Sequence, residues 1–121
     1  MTRSKWGNIP TYRDDIRFDS KKEAARYDEL KILERAGKIQ GIQLQPEFLI
    51  HEGFIDYDRK KHRPICYRAD FRYYDLDKKV YVIEDVKGKR TDVYLIKKKM
   101  FLLILTKKNE MSDVKTIFKE V

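Results

Sequence analysis

Two short stretches hold the residues best suited to chemistry. In RADFRYYD (68–75) Asp70 stands among apolar positions, and in YVIEDVKGK (81–89) so do Glu84, Asp85 and Lys87. Both stretches read as strands, and Asp75-Leu76-Asp77-Lys78 between them reads as a turn, so the two strands are antiparallel neighbours. Side chains two apart on a strand share a face. Asp85 and Lys87 therefore point together, and Asp70 can converge on Asp85 from the facing strand. Carboxylates are rarely buried without a partner, and two held close repel unless a cation lies between them. Oxygen ligands suit Mg²⁺, which needs only one or two carboxylates. A lysine beside such an ion can activate a water or stabilise charge that builds on a phosphate. This is the inventory of metal-assisted phosphodiester hydrolysis.

Each residue also has a plainer reading. Asp85 and Lys87 can form an exposed ion pair of little energetic value. Asp70 can bridge to Arg68 or Arg72 on its own strand. Regular alternation turns Glu84 away from Asp85, and a bulge would exchange the two; the D-x-K spacing to Lys87 favours Asp85. Gln45, before Pro46, reads as a buried strand glutamine whose amide can touch a phosphate. Tyr94 and Lys98 lie one helical turn apart and can reach such a site from the side, although Lys97-Lys98-Lys99 also reads as a solvated face. His51 and His62, without cysteine partners, make a poor zinc site and receive no role.

The elements that must position these residues are legible in outline. Asp19 or Ser20 caps a helix over about 20–36, in which Ser20-Lys21-Lys22-Glu23 has capping-box spacing and Gly37 is the stop. Glu23 at N3 of that box can serve the cap or the site. Tyr12, Ile16 and Phe18 suggest a short strand or hairpin leg with Asp14-Asp15 at its turn. Residues 42–50 alternate as a strand, with Pro46 marking an edge or bulge. Residues 51–64 read as a polar, turn-rich hairpin loop or bent strand pair, 65–74 and 79–87 as strands, about 91–105 as a second helix, and 113–120 as a last strand. Val93, Ile96, Met100, Leu103 and Ile104 are the expected inward stripe of the second helix. The order β-α-β-β-β-α-β predicts one α/β domain over 1–121, a central mixed sheet flanked by two helices, with 1–10 as a flexible basic arm.

Composition narrows the partner. The chain has 121 residues, 40% of them charged, and a net charge of +8, with 41% hydrophobic residues. That is enough apolar material for a folded core and enough basic charge to favour a polyanion. One cysteine, Cys66, excludes an internal disulfide and a cysteine zinc cluster. The run Met100–Leu105 falls far short of the roughly 20 apolar residues that span a bilayer. MTRSKWGNIP lacks the apolar core of a signal peptide, so a cytoplasmic protein is expected. Candidate phosphate contacts are Lys5, Arg13, Arg17, Lys21, Lys22, Lys60, Lys61, Arg63, Lys89 and Arg90.

Asp70 followed across a hairpin by Asp85-Val86-Lys87 resembles the signature of the PD-(D/E)XK nuclease superfamily, with Ala69 where that signature has proline. The segments FDSKKEAARYDELKILERAGKI, LQPEF, YRADFRYYD and EDVKGKRTDVYLIKKKMF are similar to a phage and prophage family of small Holliday-junction-resolvase-like endonucleases. The resemblance implies a restriction-endonuclease-like core in a protein working in a bacterial host cell. It implies Glu23, Asp70 and Asp85 as ligands of Mg²⁺ (or Mn²⁺ in its place) and Lys87 as the catalytic lysine. It also implies branched DNA, first a four-way junction, as substrate. Cutting a symmetric junction requires two sites, hence a homodimer, to which Phe54, Ile55 and Tyr57 are candidate contributors. A transposon-end or restriction-type nuclease, or a non-catalytic basic DNA-binding protein, is the alternative.

Overall fold

The computed structural model describes residues 9–87 and 90–121; Lys5, Lys89 and most of the basic arm lie outside them. The elements are β1 (Thr11–Arg13), β2 (Ile16–Phe18), α1 (Lys21–Arg35), β3 (Ile39–Leu44), β4 (Glu47–His51), β5 (Phe54–Ile55), β6 (Lys61–His62), β7 (Ile65–Arg68), β8 (Phe71–Asp75), β9 (Val80–Asp85), α2 (Asp92–Glu110) and β10 (Thr116–Glu120). The central sheet is mixed, in the order β10-β9-β8-β3. β10 runs parallel to β9, and the other pairs are antiparallel. A parallel neighbour needs a crossover, which α2 supplies.

The alternation of β9 divides the interior in two. Val82 packs with Ala24, Tyr27 and Leu30 of α1 and with Phe18, Phe71 and Tyr73. Ile83 packs with Phe101 and Leu105 of α2 and with Ile50, Tyr67 and Ala69. The sheet is therefore a middle layer with a helix on each face, as the α/β expectation required.

Two stretches expected as single strands are each broken. The 42–50 stretch divides at Gln45-Pro46 into β3 and β4, and the 65–74 stretch divides at Ala69-Asp70 into β7 and β8. The breaks face each other. The Gln45 amide donates to the Asp70 carbonyl at 2.9 Å, and the Ala69 amide donates to the Pro46 carbonyl at 3.1 Å. Pairing resumes beyond them with Glu47 against Arg68. A kink is what a proline imposes on a ladder, and Gln45 absorbs it at a φ of 49°, in the left-handed region that costs a side-chain-bearing residue strain. Beyond the kink, β4 and β7 form an arm that lies on α2 through Phe48, Ile50 and Tyr67. The polar stretch 51–64 is the arm's tip and holds the small β5–β6 hairpin, in keeping with the expected hairpin loop or strand pair.

Both helices begin where the sequence places them. The Ser20 hydroxyl accepts from the Glu23 amide at 3.1 Å, Thr91 caps α2 through the Tyr94 amide, and Gly37 takes a φ of 73° after α1. The expected inward stripe of α2 needs correction. Phe101 and Leu105 are buried, whereas Val93, Ile96, Leu103 and Ile104 are exposed. α2 also runs five residues past its expected end at Leu105, to Glu110. The reading failed because α2 is apolar nearly all round from Met100 to Leu105, so periodicity cannot choose a face.

Candidate active site

The chemistry-bearing side chains meet at one end of the β8–β9 pair. Phe71 lies against Glu84, so the antiparallel register continues with Asp70 opposite Asp85. The backbone holds Asp70 twice: its amide donates to the Glu84 carbonyl at 3.0 Å, and its carboxylate accepts from the Val86 amide at 2.7 Å. Lys87 Nζ stands 3.0 Å from Asp85 Oδ1, with its ammonium 4.0 Å from the centre of the Tyr94 ring. The other Asp85 oxygen accepts from the Tyr67 hydroxyl. The first turn of α1 brings in Glu23. Only half of the capping box forms: among the described residues its carboxylate makes no bond back to Ser20, and the side chain is buried. Lys22 ties this helix end down by donating to the Lys87 carbonyl at 2.7 Å.

Three carboxylates therefore gather around one ammonium, and two of them, Glu23 and Asp70, hold their protons more tightly than usual. Burial, then the charges of Asp19 and Asp85, pushes Glu23 up to about 7. Burial, then Glu23, pushes Asp70 up to about 8, against the lowering effect of the Val86 amide. Burial and Asp85 push the Tyr94 hydroxyl up to about 12. Burial is the first cause and the neighbouring carboxylates the second, and a bound cation would offset both by favouring the charged forms.

The donor set fits a hard cation in part. It is all oxygen, as Mg²⁺ prefers, and Asp70 and Asp85 supply the one or two carboxylates that this ion takes from a protein. Among the described residues, no group of three or more His, Cys, Asp or Glu side chains is arranged to hold a metal ion. Asp85 is also engaged by Lys87 and Tyr67, which an incoming ion would have to displace or share.

Glu84, the alternative to Asp85, faces the other side of the sheet, as regular alternation expects. It lies on the α1 face, where Arg26 grips both its oxygens at 2.7 and 2.6 Å and the Tyr73 hydroxyl donates to it. These bonds leave it no room to act on a substrate. Gln45 is exposed at the kink rather than buried in a strand, and its backbone is what ties it to Asp70. Lys98 turns from the cluster to Glu120, which Arg90 also holds at 2.7 Å. Of the expected phosphate contacts, Arg13 and Arg17 pair with Asp28 and Asp19. Lys21, Lys60, Lys61 and Arg63 are exposed and make no ion pair among the described residues, the last three on the arm's tip. Tyr67 and Arg26 were missed. Tyr67 alternates with Ala69 and so reads as core, and Arg26 is 58 positions from its partner.

What fold and contacts define is an α/β domain with an acidic cluster around one lysine at the end of its central strands. The chain belongs to the family described as "Protein of unknown function (DUF1064)", which matches residues 3–119. No curated protein and no solved structure matches it. Among the described residues no helix is long and apolar enough to cross a membrane.

Proposed function

We propose that this protein is a Mg²⁺-dependent DNA endonuclease with a restriction-endonuclease-like core, acting on branched DNA and above all on four-way junctions. The observation that carries the reading is the convergence of Asp70 and Asp85 beside Lys87, with Glu23 adding a third carboxylate whose proton affinity is raised. Asp70 and Asp85 would hold the ion, with Glu23 behind them; Mn²⁺ fits the same oxygens. Bound there, the ion would supply Lewis-acid polarisation of the phosphodiester and a more acidic water. The chain's own residues do the rest. The Val86 amide and the β8–β9 ladder fix the Asp70 carboxylate. Lys87, released from Asp85, presents its ammonium to the charge that builds on the phosphate. Tyr94, under that ammonium, limits where it can swing.

A twofold pair of copies follows from a symmetric junction. The arm's Phe54, Ile55 and Tyr57 are exposed, and so are Val93, Ile96, Leu103 and Ile104 of α2. These are two of the apolar surfaces that the described residues expose. Sedimentation of the wild-type chain and of Ile96→Glu tests the α2 surface: a dimer lost in the variant places the interface there, and an unchanged dimer excludes it.

One assay decides the activity. Labelled four-way junction and linear duplex are incubated with the protein in Mg²⁺ or in EDTA, beside Asp70→Asn. The proposal expects Mg²⁺-dependent cutting of the junction, lost in Asp70→Asn while binding persists. Equal cutting of both substrates makes the protein a general or restriction-type nuclease of this fold. Binding without cutting in any divalent ion makes it a non-catalytic DNA-binding protein, in which Lys87 and Tyr67 simply neutralise Asp85.

A further inference from the structure

Beside the carboxylate cluster opens a groove of about 450 Å³ between the arm and the first turns of α2. Its walls include Glu47, Tyr67 and Arg68 on one side and Thr91, Tyr94 and Lys97 on the other. Two of these side chains belong to both places: the Tyr67 hydroxyl donates to Asp85, and the Tyr94 ring underlies the Lys87 ammonium. A chain lying in the groove therefore runs directly into the cluster.

The groove's chemistry points to an anion. Arg68 and Lys97 have no carboxylate partner among the described residues. Glu47 is the register partner of Arg68, yet the two form no ion pair. Thr91 caps α2 here, so the helix's positive end faces the same space. A guanidinium and an ammonium around an open groove suit a phosphate, which Arg grips through two donors and Lys as a point charge.

We propose that this groove binds a backbone phosphate of the DNA strand neighbouring the one that is cut, with Arg68 and Lys97 as its cationic contacts. The inference rests on the nuclease reading of the adjacent cluster. It assigns work to two cations, one expected only as a partner of Asp70 and the other only as part of a solvated face. Glu47 opposes the phosphate, so neutralising it strengthens binding.

The test uses the full chain carrying Asp70→Asn, in EDTA, with four-way junction DNA followed by fluorescence anisotropy across a salt series. Adding Arg68→Gln and Lys97→Gln is expected to weaken binding about tenfold and to reduce the slope of log affinity against log salt by about one, the signature of one lost phosphate contact. Lys107→Gln with Lys108→Gln, on the last turn of α2, removes the same charge and is expected to leave the slope within a few tenths. Methylphosphonate replacement, one phosphate at a time around the cut, is expected to find one position that weakens the Asp70→Asn protein and has no further effect on the Arg68→Gln, Lys97→Gln protein. An unchanged slope, or an interference pattern identical in both proteins, overturns the groove and leaves the nuclease reading standing. Junction binding with the expected slope change, in a wild-type protein that cuts nothing in Mg²⁺ or Mn²⁺, keeps the phosphate site and ends the nuclease reading. No binding to DNA at all overturns both.

Discussion

Glu84 and Asp85 are consecutive residues of one strand, both almost fully buried, and they meet opposite fates. On the α1 face Glu84 meets a guanidinium through two bonds and a tyrosine hydroxyl besides, and Arg26 in return holds its proton more tightly. Charge and hydrogen bonds are balanced there, and the result joins α1 to the sheet. On the α2 face Asp85 also has a cation and a tyrosine, Lys87 and Tyr67, but Glu23 and Asp70 crowd the same space. The strand presents the same chemistry to both sides. What balances one side and leaves the other short of positive charge is how many further carboxylates arrive from elsewhere in the fold.

The comparison breaks most readily through stability. Arg26→Met strands a buried Glu84 and is expected to cost about 3–5 kcal/mol, read as a lower midpoint in urea denaturation. Asp70→Asn replaces a buried, crowded carboxyl by a neutral amide and is expected to leave the metal-free protein as stable or more so, while cutting falls on the order of a hundredfold or more. The reverse pattern, a tolerated Arg26→Met and an unfolded Asp70→Asn, would exchange the two roles.

The lysines sharpen it next. Lys87→Met is expected to lower kcat on the order of a hundredfold with junction binding retained. Lys98→Met, whose amine serves Glu120, is expected to keep kcat within about twofold, since it touches no part of the cluster. Equal losses in single-turnover assays would mean that the Glu120 network belongs to the site.

A smaller effect follows from protonation. Glu23 and Asp70 bind protons more tightly folded than unfolded, so their contribution to stability is full below about 4 and is lost as pH rises. For Glu23 the loss runs from 4.5 to about 7, and for Asp70 from 3.8 to about 8. Metal-free protein is therefore expected to lose stability between pH 4 and 8, with a shallower slope in Asp70→Asn. Mg²⁺ is expected to restore more at pH 8 than at pH 6. Parallel urea-stability profiles for wild type and Asp70→Asn would contradict this.

Much of the positioning was legible because it is local. Ser20 before Glu23, Gly37 after the first helix, Pro46 inside a strand and the D-x-K spacing each act within a few residues. The Asp70–Asp85 facing needed only one turn and the period of two. What escaped depends on long-range partners or on ambiguous pattern. Arg26 reaches Glu84 and Lys98 reaches Glu120 only after the sheet forms, and neither partner is visible from the residues nearby. Uniform apolarity hid the inward face of α2. The capping box over-explained Glu23, since the spacing cannot tell whether its carboxylate turns back to Ser20 or onward to Asp70.

The central claim is that Asp70 and Asp85 converge to hold a divalent cation, and Mn²⁺ titration followed by electron paramagnetic resonance tests it most directly. The account predicts saturable binding at pH 8 in the wild-type chain, weakened at least about tenfold in Asp70→Asn, the loss of about 1.4 kcal/mol or more that a lost charged ligand implies. Binding that is absent in the wild type, or indifferent to Asp70→Asn, would contradict it.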